Sequence, residues 1–137
     1  NQWQRWSQDI IPALFKPYMQ YLEASQSLCM TVDPKVLSPG QCPTCPLQQL
    51  TVCCLFFDHV PGLEEAEICY CMCIPAPICL MARGLFACSP VAPTLAIDLC
   101  VLEFVKTLFV RLTPNTTAWC DALGHFLDAQ GYKLQSK

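Results

Sequence analysis

Cys42-Pro-Thr-Cys45, the apolar run Leu50-Thr-Val-Cys-Cys-Leu-Phe-Phe57, the turn signal Pro61-Gly62, and Ile68-Cys-Tyr-Cys-Met-Cys73 decide how this chain is read. The apolar run is rich in the β-branched and aromatic residues that suit a strand, so Leu50 to Asp58 predicts one strand and Ala66 to Cys73 a second. Close cysteines at both ends of such a pair suggest a metal knuckle. A tetrahedral Zn²⁺ takes four soft or borderline ligands, with thiolates at about 2.3 Å. Cys42 and Cys45, with two residues between them, can both turn toward one ion. Cys69, Cys71 and Cys73 alternate, and alternate residues of a strand share a face, so all three can point at that ion. Spacing alone does not choose among them. Cys54 and His59 are further candidate ligands, although a histidine at a strand end is more often a surface residue. Buried thiols that hold nothing are the plain alternative for several of the cysteines.

Working outward, Trp3 to Ala24 predicts an amphipathic helical region, with Trp6, Ile10, Leu14, Tyr18 and Leu22 on one stripe. Pro12 suits a first turn, whereas Pro17 lies deeper and should kink or split the helix. Ser25 to Gly40 reads as a linker. After the cysteines, Pro75-Ala-Pro77 opens a short helix that Gly84 ends. A long helix is expected over Leu95–Leu112, and another from Ala118 to about Gln130, capped by Thr116 or Thr117. His125 is assigned no catalytic partner. Glu64, Glu65 and Glu67 read as a solvated acidic edge. The expected fold is α+β: a small zinc-knuckle β-hairpin packed among four to five helices. It is one module over 1–137, with a helical region at 1–26, the cysteine cluster at 42–73 and helices at 75–134.

Composition narrows the function. An apolar fraction of 53% with only 14% charged residues suffices for a core and leaves apolar surface to be covered by something else. The net charge is −3, and four thiolates around one Zn²⁺ would take it to −5. With no dense basic run, any grip on a phosphate backbone is weak. The twelve cysteines invite a disulfide reading, but adjacent Cys53-Cys54 and the alternating triplet make poor pairing partners for each other. The apolar run over Leu95–Leu112 contains Asp98, Glu103, Lys106 and Arg111, which argues against a membrane span. The start at Asn1 without methionine, and the end at Lys137, suggest a piece of something longer. A thiol–disulfide protein using Cys42-Pro-Thr-Cys45 is the competing reading, disfavoured by Pro46 and by the lack of a βαβ pattern around the motif.

The segment Leu80-Met-Ala-Arg-Gly-Leu-Phe-Ala-Cys-Ser-Pro-Val-Ala-Pro-Thr-Leu-Ala-Ile-Asp98 resembles the stretch after the cysteine cluster of fungal KDZ (Kyakuja–Dileera–Zisupton) transposases. The similarity continues through Val101-Leu-Glu-Phe104, Pro114-Asn-Thr-Thr-Ala-Trp-Cys120 and Phe126-Leu-Asp-Ala-Gln-Gly-Tyr-Lys-Leu134, and extends back to Ile10-Ile-Pro-Ala-Leu14. The resemblance implies a CxxC and a CxC as zinc ligands, which here are Cys42, Cys45, Cys71 and Cys73, with Cys69 left as an extra thiol. Phe86-Ala87 departs from the family's usual Phe-Pro. The family's enzymes cut and join DNA with a metal-dependent RNase H-like core, and the spaced carboxylates of such a core are not found here. The resemblance therefore implies a non-catalytic, nuclear module. Its partners would be the rest of a transposase polypeptide, transposon DNA through other regions, or a second copy of itself. A decayed transposon fragment without activity is the remaining alternative.

Overall fold

Strand β1 (Gln48–Phe56) alternates as the sequence suggests, and its two faces bury into two different cores. The computed structural model describes residues 1–30, 32, 44–56, 62–113, 115–129 and 131. In it β1 pairs antiparallel with β2 (Gly62–Tyr70), from Gln48↔Tyr70 at one end to Phe56↔Gly62 at the other. Two strands not foreseen complete the sheet: β3 (Leu85–Ala87) and β4 (Leu95–Asp98). The order is β2-β1-β4-β3, with β1 and β4 parallel and β3 and β4 antiparallel. The α+β class thus holds, but the hairpin is half of a four-stranded sheet. Glu64, Glu65 and Glu67 lie exposed on edge strand β2, where charge discourages a further strand from pairing.

Helix α3 (Ala76–Ala82) is apolar all round, and a helix of that kind is stable only when enclosed. One side meets the sheet, where Leu80 and Cys79 pack with Val52, Cys54, Ile68 and Ala96. The other meets the N-terminal helices, where Met81 joins Ile10, Leu14 and Leu99. Fully burying a side chain such as Leu80 or Ile68 contributes about 1.5–3 kcal/mol. The opposite face of the sheet packs against the C-terminal helices. There Leu55 packs with Val101 of α4 (Leu99–Arg111) and Leu127 of α5 (Thr116–Ala129).

The N-terminal region forms α1 (Gln2–Arg5), a π-helical segment (Trp6–Ile10) and α2 (Ile11–Ala24). Pro17 lies inside α2 without splitting it, so the irregularity falls one turn before Pro12 instead. A proline ring clashes with the carbonyl four residues back, and the wider π turn, closed by Ile11 N–H to Trp6 O, relieves that crowding ahead of Pro12. Trp6 then stacks on Phe86 of β3, with centroids 5.6 Å apart. The expected linker begins as an ordered turn. Gln26, Ser27 and Leu28 are all left-handed (φ 50°, 58° and 69°), an unfavourable run for side chains other than glycine. Buried Ser25 holds it, donating to Tyr21 O at 2.6 Å and accepting from Leu28 N–H at 3.1 Å. Beside the Ile10 and Leu14 stripe, Ile11 and Phe15 are 54% and 68% exposed. They border an apolar groove of about 410 Å³ between α2 and α4, with Glu103 and Lys106 on its lining.

The long helix starts later than its sequence suggests, because Leu95–Asp98 is strand and Asp98 is the cap, accepting from Cys100 N–H at 3.2 Å. Helix α5 is capped by Asn115, not by Thr116 or Thr117: its Oδ1 accepts from Ala118 N–H at 2.9 Å. Asn115→Ala is therefore expected to cost about 1 kcal/mol, read as a lower urea midpoint, while Thr116→Ala leaves the midpoint unchanged. On that helix His125 does have an acidic neighbour, Asp121 at 3.7 Å one turn earlier; both are exposed. Among the described residues no helix is long and apolar enough to cross a membrane.

Candidate metal centre

The β1–β2 ladder sets the geometry of the cysteine cluster. Its last pair is Gln48↔Tyr70. Cys45 stands three residues before Gln48, and Cys73 three residues after Tyr70. Two chain ends leaving the same rung by equal lengths can meet again, and they do: the Sγ atoms of Cys45 and Cys73 are 3.3 Å apart. That is far beyond the roughly 2.05 Å of a disulfide. It is somewhat below the roughly 3.8 Å that separates two thiolates on a tetrahedral zinc with bonds of about 2.3 Å. Cys45 is half-buried and Cys73 exposed.

The strand ends at Tyr70, so the alternation expected to aim Cys69, Cys71 and Cys73 at one point is broken. Cys69, the last of the three still on the strand, is exposed and lies across from Gln49. Beyond the strand the chain folds into a tight loop in which Cys71 N–H donates to Ile74 O at 3.2 Å. This turns Cys71 inward, leaving it 3% exposed. Cys79 of α3 closes the loop from below, its thiol directed at Ile74 O at 3.7 Å. Burial, with the charge of neighbouring Cys71 as the next cause, pushes the Cys79 thiol up to about 11. Cys79's place under the loop depends on how α3 packs, which nothing local in the sequence announces.

Cys54, an alternate ligand on sequence grounds, is a core residue. Burial first and the charge of Cys53 second push its thiol up to about 11. It sits six residues along β1 from Gln48, about 20 Å away at strand rise, too far to join Cys45. Cys42 and His59 lie outside the described residues. Among the described residues, no three cysteine, histidine or acidic side chains are grouped closely enough to hold a metal ion. Among the described residues, the close sulfur contact in this cluster is the one between Cys45 and Cys73.

A family model described as a CxC1-like cysteine cluster associated with KDZ transposases matches residues 30–131. No curated protein and no solved structure matches the chain.

Proposed function

Because this chain belongs to the CxC1-like family of cysteine clusters associated with KDZ transposases, we propose that it is a zinc-binding, non-catalytic module of such a transposase. The observation that carries the reading is the approach of Cys45 and Cys73, from chain segments 28 residues apart, to 3.3 Å. Cys42 and Cys71 supply the remaining thiolates, Cys71 by turning out of its inward position, with exposed Cys69 as the substitute donor. One Zn²⁺ would tie the entry of β1 to the exit of β2 and add its binding free energy to folding. The module's task is to position other parts of the transposase polypeptide, or a partner, relative to transposon DNA. Its acidic balance of eleven Asp and Glu against eight Lys and Arg favours protein neighbours over direct contact with phosphates.

Elemental analysis of protein purified under reducing conditions tests this: about one zinc per chain is expected for a closed four-ligand site. Less than about a tenth of a zinc per chain would remove the metal from the account. Replacing Cys71 and Cys69 singly by serine identifies the fourth ligand, since only the true donor's loss lowers the zinc content.

A further inference from the structure

The Cys45–Cys73 pair supports more than metal binding. Its two sulfurs need to close by only about 1.2 Å to reach disulfide bonding distance. Exposed Cys73 meets solvent oxidants first, and half-buried Cys45 lies directly behind it. Cys54, Cys71 and Cys79 are shielded by burial. Exposed Cys29, Cys69, Cys88 and Cys120 serve as competitors for the same oxidant.

We infer that Cys45 and Cys73 form an oxidisable modification site, in which a hydroperoxide converts them to an intramolecular disulfide that occupies the sulfurs a metal would use. The competition with metal rests on the zinc reading; the disulfide rests on the geometry alone. In the first step the Cys73 thiolate attacks a peroxide oxygen. The O–O bond breaks, the departing hydroxide takes a proton to become water, and the sulfur is left as a sulfenic acid. In the second step the Cys45 thiolate attacks that sulfur, the S–S bond forms, the S–O bond breaks, and the released hydroxide is protonated to a second water. Two thiols are oxidised and one hydrogen peroxide is reduced to two waters. The pair differs from the Cys42-Pro-Thr-Cys45 motif in using a cysteine from the far side of the hairpin.

The test treats the reduced full chain with one equivalent of hydrogen peroxide, with and without one equivalent of Zn²⁺, followed by alkylation and peptide mapping. Cleavage after Glu64, Glu65 and Glu67 places the two cysteines on separate peptides that only a disulfide keeps together. The expected major product links Cys45 to Cys73, is reversed by dithiothreitol, and forms about tenfold more slowly with zinc, since coordinated thiolates are withdrawn from attack. Cys45→Ser should leave the sulfenic acid on Cys73 to be trapped by dimedone. A major product joining Cys42 to Cys45, or crosslinks spread over Cys29, Cys69, Cys88 and Cys120, overturns the inference. A Cys45–Cys73 linkage that forms as fast with zinc as without upholds the oxidation and counts against the metal reading.

Discussion

Cys73→Ser is expected to reduce bound zinc from about one per chain to under about a tenth, because a serine hydroxyl would replace one of the four proposed thiolates. The core residues Val52, Ile68 and Leu80 do not include Cys73, whose side chain is exposed. The variant should therefore keep its far-ultraviolet circular dichroism and lose only the stability that metal adds. A ligand that binds the native state alone raises the melting temperature by mass action. In the presence of zinc, Cys73→Ser should melt where the wild-type chain melts with a chelator. Cys100→Ser, on helix α4 away from the cluster, should keep both zinc and melting temperature. If Cys73→Ser and the wild type bind equal zinc, the proposed centre is wrong.

Gly84→Ala should be strongly destabilising, at about 3 kcal/mol. Two costs combine. Gly84 has φ +77°, a left-handed conformation that ends α3 and that a side chain resists. A Cβ there would also intrude on the hydroxyl end of the Tyr21 ring. Burial, and then the charges of Asp98 and Cys100, raise the Tyr21 hydroxyl above the ordinary tyrosine value. The two costs separate in a double-mutant cycle. On a Tyr21→Ala background the steric part vanishes and only about 1–2 kcal/mol of backbone cost remains. Urea unfolding of the four proteins checks this, and strict additivity would show that the ring does not press on Gly84.

The hairpin was legible in the sequence because its signals are local. Leu50, Val52 and Cys54 alternate with polar or outward residues, and Pro61-Gly62 interrupts the run. The third and fourth strands were not legible, because Leu95-Ala-Ile-Asp98 fits the first turn of a helix as well as a strand. What decides between them is the parallel pairing of Cys54 with Ala96, and nothing near Leu95 in sequence announces it. Asp98 was the one available clue, since a good helix cap marks a beginning. In the cluster, the CxxC spacing and the strand alternation marked Cys45 and Cys73 among several candidates, and these two sulfurs do approach each other. The alternation also suggested that Cys71 faces the same way as Cys73, an inference that fails once the strand stops at Tyr70. Pro12 and Pro17 were both visible, but the sequence does not show that the helix widens to a π turn ahead of Pro12 and runs on through Pro17.

The equal overhangs of Cys45 and Cys73 beyond the last rung bear on how the hairpin avoids being miscounted. A slip of one residue between its strands would throw Val52 and Ile68 out of the core and is rejected by hydrophobicity. A slip of two preserves every inward and outward assignment, so side-chain polarity is nearly blind to it. Such a slip would carry the two sulfurs about 7 Å past each other. The chain end farthest from the turn would then act as a proofreader, accepting only the alignment in which the thiols meet.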